Sequence, residues 1–266
     1  MGLPQLGRHR HRRRALRQAG AGSRRRRPAD RAVQLLHEVA ADPVHRQRGA
    51  RPHDPVRGRR GLSGGAAVTT TLFLVRHGAH DQVSRALSAR TPGVHLSNEG
   101  RRQAEWAAER LARENVAAVH ASPMERAQET AQPIARRLGV PVTSDESLNE
   151  FDAGRWAGRS FDDLASDPAW THWNQNRSLA RAPDGENAIE VQARVVRCAL
   201  DLVAKHPGAG VVLVAHAEPL RSLVLYGLGL GPDAWSRIEI APGSVTTLLI
   251  GDWGCRLHRL NEEAPA

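Results

Sequence analysis

Lysine is almost missing from this chain: of 38 basic residues only Lys205 is not an arginine, a bias that a GC-rich coding sequence explains better than chemistry does. Two cysteines, Cys198 and Cys255, are too few for a disulfide framework and match no zinc-ligand spacing. Both read as small buried thiols, which fits a reducing, cytoplasmic location. The longest strongly apolar run, residues 211–215, falls far short of the roughly 20 residues that cross a bilayer, so no membrane partner is expected. The arginine-rich beginning has no apolar stretch before a small-residue cleavage site and does not read as a secretory signal. Five of the 13 histidines (His9, His11, His37, His45 and His53) lie in the first 67 residues, and no ligand-spaced carboxylate cluster accompanies the others. Neither a metal nor another cofactor is expected.

The formal charge of +10 resembles a nucleic-acid signature until it is divided along the chain. Residues 1–67 hold 17 Arg against 4 acidic residues, or +13, whereas residues 68–266 hold 21 basic and 24 acidic residues, or −3. The first segment also has no Phe, Trp or Tyr and cannot bury enough apolar surface to offset chain entropy. It reads as a disordered Arg-rich extension, with one short helix at most, over residues 29–41. It would grip phosphate backbones by charge alone, so no specific nucleic-acid partner is expected. The sequence turns protein-like abruptly at Val68, and a misassigned start site accounts for that break. Tryptic peptides from residues 1–60 in the native protein would remove that explanation.

From Val68 onward short apolar strands alternate with amphipathic helices, the pattern of an α/β three-layer sandwich with a mostly parallel sheet flanked by helices. Residues 71–75, 117–121 and 211–215 read as its strands. Ser97 opens a helix to about Glu114. Ser122-Pro123-Met124-Glu125 reads as a capping box, with Ser122 the cap of a helix that Gly139 ends. Trp170 and Trp173 mark a short helical insertion within residues 161–177. Helices follow over residues 188–206 and 219–227, then a terminal hairpin of residues 244–250 and 255–260.

Three predicted strand ends carry groups that suit an anion. Arg76-His77-Gly78 follows the first strand, Arg126 lies in the first turn of the helix after the second, and His216 follows the third. Open α/β sheets place ligands at the carboxyl ends of their strands, and helix N-terminal amides and guanidinium forks both favour anions. Each group alone is an ordinary surface or structural residue. Together they make a cationic pocket whose natural occupant is phosphate.

These segments resemble the histidine phosphatase (phosphoglycerate mutase-like) superfamily, in its phosphatase branch. Val75-Arg76-His77-Gly78 resembles its signature, Ser122-Pro123-Met124-Glu125-Arg126-Ala127-Gln128-Glu129-Thr130 its second motif, and Leu213-Val214-Ala215-His216 its third. Leu148-Asn149-Glu150-Phe151-Asp152-Ala153-Gly154 is similar to the segment with the proton donor. Pro183-Asp184-Gly185-Glu186 is similar to a Pro-Gly-Gly-Glu turn. The likeness runs in order over about residues 71–261. It implies an acid-type phosphomonoesterase in which His77 becomes a phosphohistidine, Arg76, Arg126 and His216 hold the phosphoryl oxygens, and Glu150 moves the proton, with Asp152 the competing donor. A small phosphorylated metabolite is the implied substrate, with no metal.

Four positions depart from that pattern. Ala79 and His80 stand where Glu and Thr or Ser are usual, Val83 where Asn is frequent, and Ala217 where Gly is usual. His80 or Arg85 would replace the lost neutral donor, while Arg85 and Arg90 would meet a second anionic group. Phosphoglycerate mutase-type transfer stays open as an alternative, as does a nucleic-acid-binding protein with an inactive phosphatase domain. A phosphohistidine-protein phosphatase is a further option, although such enzymes tend to lack the segment around residues 161–184.

Overall fold

The computed structural model describes residues 68–265. The tail of residues 1–67, with the disorder and the short helix expected there, lies outside them. A β-branched, apolar run forms β1 (Thr69–Arg76). It is followed by α1 (Asn98–Leu111), β2 (Val116–Ala121), α2 (Glu125–Leu138) and the short β3 (Val142–Ser144). Two short helices, α3 (Phe161–Ala165) and α4 (Pro168–Gln175), form the expected tryptophan insertion. Then come α5 (Ala188–Lys205), β4 (Gly210–Ala215), α6 (Ala217–Gly227) and the hairpin β5 (Val245–Gly251) and β6 (Gly254–Glu262).

The six strands form one sheet in the order β3-β2-β4-β1-β5-β6. The first four are parallel to one another, and β5 and β6 add an antiparallel edge. Every residue of β4, the most apolar strand, is buried, as a strand covered on both faces must be. One face packs on α5 and α6 through residues such as Leu72, Leu213, Leu202 and Val224. The other packs on α1 and α2 through Phe73, Val214, Leu111 and Ile134. A third cluster, with Phe151, Trp156, Leu164 and Trp173, lies under the insertion. Among the described residues no helix is long and apolar enough to cross a membrane.

Local chemistry sets most boundaries where the sequence put them. Ser97 caps α1 by accepting the amide of Gly100, and Gly139 ends α2 at φ 70°, a left-handed conformation that costs glycine little. The capping box at Ser122 is a correction. Helix α2 starts at Glu125 with Met124 as its cap residue and no side-chain cap bond. The Ser122 hydroxyl is committed elsewhere, and the reciprocal box forms instead between Asn187 and Glu190 at the start of α5.

Candidate active site

Strand register, more than any single residue, assembles the site. In the parallel pairing of β1 with β4, Arg76 lies opposite Ala215, so the next residues, His77 and His216, leave the sheet side by side. Ala121 lies opposite Val214, which brings Ser122 to the same edge. Backbone bonds extend each ladder one step further, His77 N to Ala215 O at 2.9 Å and Ser122 N to Val214 O at 2.9 Å. The His77 and His216 ring centroids are 5.0 Å apart, and His80 is 5.3 Å from His77. That spacing lets one phosphoryl group reach both rings.

His77 is buried, and its Nδ1 lies 2.8 Å from the carbonyl oxygen of Gly78. A carbonyl can only accept, so Nδ1 carries the proton and Nε2 keeps its lone pair. Burial, then His216, Arg76 and Arg126, hold the ring well below the ordinary histidine range, which keeps it neutral and nucleophilic at pH 7. Gly78 allows this loop to sit close to α1: a methyl there would come within 2.4 Å of the Gly100 carbonyl oxygen.

Arg76 and Arg126 are each tied down by one nitrogen. Arg76 donates from Nη1 to the Ile240 carbonyl at 2.7 Å, and Arg126 from Nη2 to the Ala89 carbonyl at 2.6 Å. Arg76 Nε, Arg126 Nε and Nη1, His80 Nδ1 and His216 Nδ1 are all buried without a partner. An unsatisfied buried polar group costs about 1–3 kcal/mol, more when charged, so this gathering fits a site shaped for an anion. Burial lowers the Arg76 pKa to about 10, which leaves it cationic at neutral pH. Burial lowers that of His80 to about 4, so its ring is neutral there.

The cavity bounded by Arg76, His77, His80, Arg126 and Glu150 has a volume of about 340 Å³. The Glu150 carboxyl is held above the usual range by burial and by the nearby Glu218, against the lowering effect of the Phe151 amide, Arg126 and Arg76. Its main chain is pinned from behind: the Glu150 carbonyl accepts from Arg90 Nε at 2.8 Å and Arg194 Nη2 at 3.1 Å. Both arginines also bind Glu186, and Glu186 accepts the Asp152 amide. The turn of residues 183–186 is thus the brace of the Glu150 loop.

Of the sequence-predicted residues, Arg76, His77, His80, Arg126 and Glu150 line the cavity, as do Val83 and Ala217. His216 is not among the lining residues but stands against His77, which is. Asp152 is not among the lining residues; its carboxylate accepts the Gly154 amide beside Arg90. Arg85 and Arg90 are not brought to the cavity either. Arg85 is exposed, and the Arg90 fork is spent on Glu150, Glu186 and Asp152.

Sequence reasoning missed Ser122, Asn149, Arg177, Glu218 and Arg221. The Ser122 hydroxyl donates to Asn149 Oδ1 at 2.9 Å and lies 2.9 Å from His216 Nε2. With its one proton given to Asn149, Ser122 accepts from His216 Nε2–H, and His216 Nδ1 is left open toward a ligand. Arg177 and Arg221 share the Glu218 carboxylate. These three are distant in sequence or lie in ordinary helical context, and no local pattern marks them. Among the described residues no group of His, Cys, Asp and Glu is clustered so as to hold a metal ion.

The fold and these motifs have counterparts. Residues 72–263 match the family profile described as the histidine phosphatase superfamily, branch 1. The bifunctional protein Rv2228c of Mycobacterium tuberculosis is 35% identical over 191 residues, which cover 70% of this chain and 52% of that protein, so the chain spans about half its length. Rv0525 of the same organism is 37% identical over 188 residues, covering 68% of this chain and 90% of the relative. Among solved structures, the mycobacterial glucosyl-3-phosphoglycerate phosphatase Rv2419c is similar with a TM-score of 0.66 at 28% identity, covering 73% of this chain and 99% of that one. With a profile match across nearly all of the described fold, the chain belongs to branch 1 of the histidine phosphatase superfamily.

Proposed function

We propose that the protein is a phosphomonoester hydrolase that works through a phosphohistidine on His77. The observation that carries this reading is the Nδ1 contact to the Gly78 carbonyl, which leaves Nε2 as a neutral nucleophile in a pocket of unpartnered cationic donors. In the first step the Nε2 lone pair forms a bond to phosphorus while the ester P–O bond breaks, and Glu150 gives its proton to the departing oxygen. In the second, water attacks phosphorus, the P–N bond breaks, and the Glu150 carboxylate takes the water's proton. Inorganic phosphate leaves and both residues return to their starting states. Arg76 and Arg126 meet the charge that spreads over the phosphoryl oxygens, a preorganised field in a buried site. His216 holds the remaining oxygen through Nδ1. A neutral Nδ1 accepts the proton of a monoanionic ester, and a dianion draws a proton onto it. Likeness to a glucosyl-3-phosphoglycerate phosphatase supports a small phosphorylated metabolite as substrate.

The test is turnover of a panel of phosphorylated metabolites in EDTA, beside His77→Ala, with alkaline quench and mass spectrometry for a phosphorylated histidine. The expected result is activity that EDTA does not touch, a loss of at least about 10³-fold in the variant, and an acid-labile phosphoryl group on His77. Loss in EDTA with retention in His77→Ala would refute the mechanism.

A further inference from the structure

Much of the cavity wall is built from aromatic rings. Phe151, Phe161, Trp170, Trp173 and Trp235 line it together with Leu87. Phe161 and Trp170 stand at its more open side, Phe161 being 36% exposed and Trp170 half-buried. Trp170, Trp173 and Phe151 stack in succession at centroid distances of 5.5 and 4.9 Å. The chain has only three Phe, six Trp and one Tyr, and half of these ten gather at this one wall.

The cations on this side are held within the protein, Arg177 and Arg221 sharing the one carboxylate of Glu218. Arg177 donates from Nη1 to Glu218 at 2.6 Å and from Nη2 to Asn174 at 2.9 Å. Its guanidinium is sandwiched between Trp173 at 3.5 Å and Trp235 at 4.1 Å. Arg221 binds the other oxygen of Glu218 and the Ile238 carbonyl. An anion would have to displace Glu218 and Asn174 to reach the Nη groups of Arg177, and losing one partner of a buried pair is strongly unfavourable. Two N–H groups stay without partners, the Nε of the Arg177 guanidinium and the neutral Nε1 of Trp173, on residues only 3% and 2% exposed.

We infer that this side receives the leaving group as an aromatic alcohol, bearing one hydrogen-bond acceptor for the buried N–H groups. The inference rests on the phosphatase reading and names its substrate class. Its chemical logic is that an aromatic ring gains apolar contact and edge or stacking contacts from the wall, whereas a compact anion gains neither.

The experiment compares kcat/KM for 2-phenylethyl phosphate, ethyl phosphate and 3-phosphoglycerate. All are esters of primary alcohols, so differences report recognition more than leaving-group ability. Binding of 2-phenylethylphosphonate and ethylphosphonate by calorimetry gives a second measure that does not depend on turnover. The phenylethyl compounds are expected to exceed the ethyl ones by at least about tenfold in both measures, from burial of the ring. In Phe161→Ser and Trp170→Leu that ratio falls toward one. A ratio near one in the unaltered protein, or 3-phosphoglycerate equalling or exceeding the phenylethyl ester, overturns the inference while leaving the phosphatase reading intact. Absence of turnover on all three, with phenylethylphosphonate still preferred, upholds the aromatic subsite and overturns the hydrolase reading instead.

Discussion

Removal of the Ser122 hydroxyl tests whether His216 is held in place by a side chain that contributes no charge. Ser122→Ala deletes the 2.9 Å contact to His216 Nε2 and the 2.9 Å bond to Asn149 Oδ1. All of this occurs where Ser122 and His216 have no exposure to solvent, so water cannot replace the lost partner without a rearrangement. A buried polar group left unpaired costs about 1–3 kcal/mol, and for a fold of this size each kcal/mol lowers Tm by about 2–4 °C. If that cost reappears in full as misplacement of Nδ1 in the transition state, kcat/KM falls about 5–150-fold. Stability is read by thermal melting and activity on one phosphomonoester. The deciding measurement is a double-mutant cycle with His216→Ala: because the serine acts through the histidine, the double variant should be no slower than His216→Ala alone. Full additivity, or a Ser122→Ala enzyme within about twofold of the parent, would show that His216 is oriented by something else.

Glu150→Gln keeps the shape of the acid and removes its proton, so turnover of alkyl phosphates should drop by about 10²–10⁴-fold, while p-nitrophenyl phosphate, whose leaving group needs little protonation, loses much less; equal losses on both would deny the general-acid role. His77, His80 and His216 have folded-state pKa values below the ordinary 6.5, so the unfolded chain binds more protons below that pH and stability declines as pH falls from about 7 toward 5, by up to about 1.4 kcal/mol per pH unit for each ring. Melting curves of the parent and of His216→Asn should differ in that slope, the variant's being shallower; identical slopes would contradict a neutral, buried His216. Gly78→Ala places a methyl 2.4 Å from the Gly100 carbonyl oxygen, and the backbone shift that relieves it moves His77; a stability loss of about 1–3 kcal/mol and a larger loss of activity are expected, and a variant with unchanged kcat would show that the approach of this loop to α1 is not needed for catalysis.

The sequence by itself determined the parts that depend on local physics. Periodicity and β-branched runs marked β1, β2, β4 and the hairpin, and Ser97 and Gly139 marked helix ends, because strands and caps are written in neighbouring residues. His77, Arg126, Glu150 and His216 were legible because each sits in an ordered motif next to a strand or helix end. Contacts between distant segments were decided only by the tertiary structure. Ser122 has the spacing of a helix cap, and only the β2–β4 register reveals that its hydroxyl is taken by Asn149 and His216. Arg90 and Arg85 have the charge for a second anion, yet Arg90 is claimed by Glu186 from 96 residues away. The aromatic wall, with Arg177 paired with Glu218 across 41 residues, exists only once the insertion closes over the strand ends. Charge and hydrophobicity can be read residue by residue, but whether a charge is free or already paired depends on which segments fold against it.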